Sequence, residues 1–279
     1  MMEKLILKNL LAILFISGTV AFLTAQSNKF EQLGSLLPTP NETRSASGAP
    51  GHAYRQNRAD YVIDVHLDDG KQYISGKETI TYHNLSPDAL DYLWLQLDQN
   101  NIAPDADSYS TSTGKLDTRV TATAIAKYDH NMNRGYHVEK ITTVTGADLP
   151  FTINKTMMRV DLPLPIPSGG SYSFKVEWNY NINNRLKEGG RSGYEYFPAD
   201  SNYLYAIAQF YPRMCVYDDI YGWQNKQFLG SGEFTVPFGD FDVHITVPAD
   251  HAVAATGKDP VPVRSVAQPG KPSFLIQQF

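Results

Sequence analysis

Four stretches of this chain place an apolar residue at every second position and a polar one between. Tyr61, Ile63, Val65 and Leu67 alternate with Asp64, His66 and Asp68; Leu93, Leu95 and Leu97 alternate with Trp94 and Gln96. Tyr172, Phe174, Val176, Trp178 and Tyr180 alternate with Ser173, Lys175, Glu177 and Asn179, and Phe241, Val243, Ile245 and Val247 alternate with Asp242, His244 and Thr246. A period of two gives an extended segment one apolar and one polar face, whereas a helix needs spacings of three and four. Turn chemistry separates the runs: Asp69-Gly70, Ser86-Pro87-Asp88, Pro165-Ile166-Pro167-Ser168-Gly169-Gly170 and Pro248-Ala249-Asp250. The pattern predicts an all-β body, an antiparallel multi-sheet saddle or sandwich. Helical periodicity is absent outside the first residues. The stretch from Asp117 to Ala126 is the one place it is approached, and its Thr and Val content predicts a strand.

The first 25 residues differ from the rest. Lys4 and Lys8 precede an apolar run from Leu10 to Ile16 that continues, past Ser17-Gly18-Thr19, to Leu23 and then small residues at Thr24-Ala25. This order predicts a signal peptide over 1–25, cleaved near Ala25, and an exported product. The competing reading is a membrane anchor, but the unbroken apolar core is shorter than the roughly 20 residues a bilayer requires. Residues 26–57 are polar, rich in Ser, Pro, Gly and Asn, and read as a flexible linker. The β-body is expected over 58–257. Residues 258–279 begin Pro-rich and then open a new apolar run at Ser273, which reads as the start of a following, truncated segment. No other stretch is long and apolar enough to span a membrane, so no membrane span is expected in the mature chain.

Composition excludes two classes. A formal net charge of −5 without clustered Lys and Arg leaves no nucleic-acid surface. The single cysteine, Cys215, cannot form an internal disulfide, so the fold must rest on its core, for which 42% hydrophobic residues are ample. The seven histidines contain no H-E-x-x-H and no H-x-H, so no zinc motif is present. The nearest constellations, Asp64-x-His66-x-Asp68 and Asp240-x-Asp242-x-His244, read as solvated outer strand faces. Ser192 lies in a glycine-flanked loop without G-x-S-x-G, and Cys215 reads as a buried small hydrophobe. Three glycosylation triplets start at Asn41, Asn84 and Asn154 and matter only in a host that glycosylates exported proteins.

The candidate binding stretch is Ala206-Ile207-Ala208-Gln209-Phe210-Tyr211-Pro212-Arg213, followed by Tyr217-Asp218-Asp219. Tyr203, Tyr205 and Ile207 alternate up to Gln209, and Pro212 lacks the donor a central strand needs, so the strand must end there. A glutamine at a strand end beside aromatics is a suitable place to hold a ligand's polar group. The same stretch also reads as a structural turn, with Arg213 pairing Asp218 or Asp219.

Gln209-Phe210-Tyr211-Pro212-Arg213, Tyr217-Asp218-Asp219, Gly232-Glu233-Phe234, the run from Phe238 through Asp250, and Ala254-Ala255-Thr256-Gly257 resemble the amino-terminal domain of aminopeptidase N-type zinc metallopeptidases, secreted bacterial members above all. Asp98-Gln99-Asn100 after Tyr92-Leu93-Trp94-Leu95, and Gly193-Tyr194, add to the resemblance, which covers about 61–257. The resemblance implies a β-saddle capping a catalytic domain, absent from this chain, that binds zinc and hydrolyses the amino-terminal peptide bond. It implies no catalytic residue here. Two residues are implied at the substrate's amino terminus: Gln209, and Tyr211, which stands where the family carries Glu or Gln. A tyrosine hydroxyl accepts a hydrogen bond but brings no charge. The reading from another class is a free-standing exported binding module, with Trp94 and Trp223 exposed for stacking on carbohydrate or a surface partner.

Overall fold

The structure is a computed structural model that describes residues 40–111, 119, 121–122, 134–188, 190–232, 234–257 and 273–278. The chain divides between Tyr54 and Arg55 into two units. In the first, Asn41 turns the chain by accepting hydrogen bonds at Oδ1 from the backbone N–H groups of Thr43 and Arg44, each at 2.8 Å. Among the described residues, the strands lie in the second unit.

In chain order these are β1 (Arg58–Asp68), β2 (Tyr73–His83), β3 (Leu90–Gln96), β4 (His137–Thr143) and β5 (Phe151–Asn154). Then come β6 (Met157–Ile166), β7 (Ser171–Asn181), β8 (Gly193–Phe197), β9 (Asn202–Ala208) and β10 (Arg213–Met214). The last are β11 (Tyr217–Asp218), β12 (Gly222–Trp223), β13 (Phe241–Thr246), β14 (His251–Ala255) and β15 (Ser273–Gln278). Among the described residues the named helical elements are a 3-10 turn at Asp98–Ile102 and two short pieces, α1 (Asp107–Thr111) and α2 (Arg185–Glu188). None of these, among the described residues, is long and apolar enough to cross a membrane. The expected strand over 117–126 falls largely outside the described residues, as do the leader and residues 26–39 of the linker.

The all-β, multi-sheet expectation holds. Five strands form one sheet in the order β13-β1-β2-β7-β4, and two four-stranded sheets run β10-β3-β6-β5 and β14-β15-β9-β8. Each predicted alternation became a strand, with its apolar positions inward on β1, β3 and β7; on β13 Val243 and Ile245 are part-buried and Phe241 is exposed. On β1 Tyr61, Ile63, Val65 and Leu67 are buried while Val62, Asp64 and His66 are exposed. Their partners on β2 and β7, Ile80, Tyr82, Phe174 and Val176, meet Leu93, Leu95, Met158 and Val160 of the second sheet and Tyr205 and Ile207 of the third in one continuous core. Burying each such side chain contributes about 1.5–3 kcal/mol, which is what holds sheets lacking any disulfide.

Most pairings are antiparallel, but β13 runs parallel to β1, and β15 runs parallel to both β14 and β9. The β1–β13 pair is closed at its start by tight backbone contact. Ala59 N–H donates to the Phe238 carbonyl and Tyr61 N–H to that of Asp240, both at 2.9 Å. Gly239 between them presses so closely on β1 that a Cβ there would lie 1.6 Å from the Ala59 carbonyl oxygen. The rings of Phe241 and Tyr61 then stack at 4.8 Å. Gly239→Ala is therefore expected to force β13 off β1 at an overpacking cost of about 1–3 kcal/mol, read as a lowered urea midpoint. An unchanged midpoint would show that the contact is not needed.

Candidate functional site

β9 ends at Ala208, and the next residue, Gln209, takes the left-handed backbone conformation at φ 52°. A non-glycine residue holds that conformation only when its surroundings impose it. Here two side chains do. Gln99 Nε2 donates to the carbonyls of Ala208 at 3.1 Å and Gln209 at 2.9 Å, and the Tyr136 hydroxyl donates to the Gln209 carbonyl at 3.1 Å. The strand end is thus gripped by its backbone, leaving the half-buried Gln209 side chain outside the grip.

Past Gln209 the chain turns inward. Phe210, Tyr211 and Pro212 are buried, and Tyr211 meets the rings of Phe210 at 5.0 Å, Tyr61 at 5.3 Å and Phe241 at 6.0 Å. Burial raises the Tyr211 phenol above its ordinary range, against the pull of Arg213, so it is a neutral group at physiological pH. The two candidate residues therefore sit differently: Gln209 at the rim, Tyr211 with its ring in the core.

Arg213 opens β10, which pairs antiparallel with β3, Arg213 opposite Gln96 and Met214 opposite Leu95. Its guanidinium does not reach Asp218 or Asp219. It forks onto Asp98, Nε to Oδ2 at 2.7 Å and NH2 to Oδ1 at 2.8 Å, with Gln96 Nε2 also donating to Oδ1 at 2.9 Å. The Asp98 side chain is 1% exposed and that of Arg213 15%. Asp218 is already engaged by the backbone N–H groups of Ile220 and Tyr221 and the amide of Gln224, which explains why the expected local pair does not form. Burial pushes the Asp98 carboxyl up while Arg213 draws it down; burial also works against the Arg213 charge, which Asp98 restores and raises. The two-pronged geometry needs an ionised carboxylate and decides for the ion pair.

Asp98-Gln99-Asn100 is accordingly one device. Asp98 holds Arg213, Gln99 holds the backbone at 208–209, and Asn100 donates to the Lys155 carbonyl at 2.7 Å and accepts from Tyr136 N–H at 2.6 Å. Sequence reading assigned these three residues no role. A polar triplet that turns out buried directly after an apolar strand was the available signal. Glu78 was missed too: it occupies an inward position of β2, between Gly76 and Ile80.

The remaining candidates lie elsewhere. His244 on β13 stands between Asp64 on β1, 2.9 Å away, and Asp242, 3.5 Å away, all three exposed on the outer face as expected. Among the described residues no three His, Cys, Asp or Glu side chains are placed to hold a metal ion, so the residues present do not fit a zinc site. The Ser192 hydroxyl accepts from Ala208 N–H at 3.2 Å. Cys215 is buried, and burial raises its thiol well above the reactive range. Trp94 and Trp223 are half-buried, and Trp223 packs edge-on to Tyr217 at 5.2 Å and tilted against Tyr82 at 5.8 Å.

No family model matches the chain, and no curated protein matches it. Among solved structures it is similar to an M1 zinc metallopeptidase from Deinococcus radiodurans, at 13% identity and a TM-score of 0.35, covering 72% of this chain and 34% of that one. A mutant of that enzyme bound to a Tyr-Ser-Ala substrate gives the same identity and TM-score over 35% of its length. A two-domain M1 zinc metallopeptidase mutant bound to L-tryptophan gives 15% and 0.34, again over 35%. The chain spans about a third of the length of these proteins.

Removing one partner of the buried ion pair leaves the other charge stranded. Asp98→Ala is expected to cost about 3–5 kcal/mol in denaturant unfolding, whereas replacing both residues with Asp98→Leu and Arg213→Met should cost clearly less than the sum of the single changes. Additive costs would mean that the two side chains do not act as a pair.

Proposed function

We propose that this chain is the substrate-site-capping amino-terminal part of an exported zinc metallo-aminopeptidase, and that Gln209 helps hold the amino terminus of the peptide. The reading rests first on the run of residues between 209 and 257 that resembles that family. The observation that carries it is the strand end itself. Gln209 is the first residue past β9, its carbonyl is fixed by Gln99 and Tyr136, and its side chain is the half-exposed polar group at the rim of an aromatic wall. A side chain held by a rigid backbone is suited to positioning a reactant, because the ordering has been done before the ligand arrives.

The chemistry available to this chain is limited to binding. The Gln209 amide oxygen accepts a hydrogen bond from an α-ammonium group, and its NH2 donates to a peptide carbonyl. Tyr211, neutral and packed in the core, supports the wall and offers at most one acceptor. In this reading the metal belongs to a domain beyond Phe279, and no step taken by the described residues runs through it. Export through a cleaved leader over 1–25 is part of the same proposal.

Two measurements test it. Reading the coding sequence past Phe279 should reveal H-E-x-x-H with a further Glu about twenty residues on; a different domain there would sink the proposal. In the complete enzyme, Gln209→Ala should lower kcat/KM for peptides with a free amino terminus about tenfold, the worth of one hydrogen bond of about 1.4 kcal/mol, with the far-UV circular dichroism unchanged. Unaltered kinetics would remove Gln209 from the site.

A further inference from the structure

Beneath the strand end lies a carboxyl group with no protein partner. Glu78 is 2% exposed, and both of its carboxyl oxygens are buried with no hydrogen-bond partner among the described residues. It points from the inner face of β2, opposite Ile63 of β1 and Val176 of β7. To one side along β2 is Gly76, where a Cβ would fall 2.3 Å from the indole of Trp178; to the other is Ile80, whose partner across the sheet is Tyr61. The two rings, Tyr61 and Trp178, belong to one aromatic chain, three of whose phenols sense a charge on the acid. Tyr61 meets Tyr211 at 5.3 Å, Tyr211 meets Phe210 at 5.0 Å, Phe210 meets Trp178 at 6.2 Å, and Trp178 meets Tyr136 at 5.7 Å. Phe210 and Tyr211 follow Gln209 directly, and Tyr136 is the residue that grips the Gln209 carbonyl.

The groups around Glu78 do not neutralise a charge on it. The titratable neighbours acting on it or sensing it are the phenols of Tyr61 on β1, Tyr136 before β4 and Tyr211 before β10, each raised further by a charge at Glu78. From β7 come Val176 and Trp178, with the Trp178 N–H and the Tyr180 hydroxyl also buried without a protein partner. The cation that reaches the same phenols, Arg213, has its fork committed to Asp98. A carboxylate in such a place is costly, and the neutral acid is the form that burial tolerates.

We propose that Glu78 is a positioning residue that keeps its proton while the aromatic wall is closed, and whose deprotonation loosens the wall and moves the strand end carrying Gln209 and Tyr211. The step is a simple one: the O–H bond breaks, the proton goes to solvent, and the carboxylate that remains must be hydrated. Water reaches it only if a ring gives way, and Phe210, Tyr211 and Tyr136 are the rings carried by connecting segments instead of a long strand. Burial holds the Glu78 carboxyl well above the usual carboxylate range. The folded state therefore keeps its full stability below the unfolded value of about 4.3 and loses stability as pH rises toward and through the folded value. This device concerns the position of the proposed peptide-binding residue and so rests on that reading only for its meaning in catalysis.

The test uses the full 279-residue chain without peptide or metal, so its outcome is separate from that of the peptidase proposal. Infrared spectra in D2O at neutral pD should show the carbonyl band of a protonated carboxylic acid, missing in Glu78→Gln. In a Trp94→Phe, Trp223→Phe background, the fluorescence of Trp178 should change as that band titrates away at higher pH, with one shared midpoint, and Glu78→Gln should abolish the change. The urea midpoint of the unsubstituted chain should fall with pH more steeply than that of Glu78→Gln. Absence of the acid band at neutral pD, separate midpoints for band and fluorescence, or a fluorescence step that survives in Glu78→Gln would each overturn the proposal. If Glu78→Gln does not fold, the shared midpoint in the chain that keeps Glu78 decides alone.

Discussion

The geometry of the strand end depends on one buried ion pair. Arg213 and Asp98 lie 115 positions apart in sequence, and their forked contact ties the chain after β9 to the turn after β3. It works beside the two-residue ladder of β10 and the hydrogen bond from Met214 N–H to the Tyr61 hydroxyl at 2.9 Å in carrying residues 209–214 from the third sheet to the second. The pair also fixes the 3-10 turn from which Gln99 reaches the carbonyls of 208 and 209. One salt bridge therefore sets both the direction in which the chain leaves β9 and the unusual backbone of Gln209. A buried pair of this kind is weak as a source of net stability, because desolvating two charges offsets most of their attraction. Its value is in selecting one path for the chain among several that would bury the same aromatic rings.

That division of labour separates what was legible in the sequence from what was not. Alternation is a local property, so the strands built on 61–68, 93–97, 172–180 and 241–247 could be read, as could the end of β9 before Pro212. Pairing across long separations leaves no local trace. The parallel partnership of β1 and β13 joins residues 180 positions apart, and the close packing of Gly239 on Ala59 and the stacking of Phe241 on Tyr61 help explain why it forms. Arg213 was read against the nearest acids, Asp218 and Asp219, for the same reason. Asp218 was already needed to turn its own loop, and the partner that remained came from another sheet.

Glu78 is a different kind of omission. Its position was readable: Ile74, Gly76, Glu78, Ile80 and Tyr82 keep the phase of an inward face, and all five are buried. A charge-bearing residue in that phase conflicts with the pattern around it, and such conflicts gather at sites with a purpose beyond stability. Tyr211 shows the converse. It was read as a candidate binding residue, yet its ring is consumed by contacts with Tyr61, Phe210 and Phe241, while Gln209 is only part-buried.

These features together describe a wall that is stiff in its backbone and adjustable behind. The strand end is clamped by Gln99, Tyr136 and, through the turn, Asp98; the rings that follow it cover an acid with no partner. The proposed binding residue, mounted on such a wall, inherits the state of the group underneath, because Phe210 and Tyr211 cannot move without altering the segment that carries Gln209. The strand end carries a neutral phenol, Tyr211, and the unpartnered acid behind it is Glu78. The negative charge available near the strand end is then conditional on protonation and on water access, where a rim carboxylate would present it permanently.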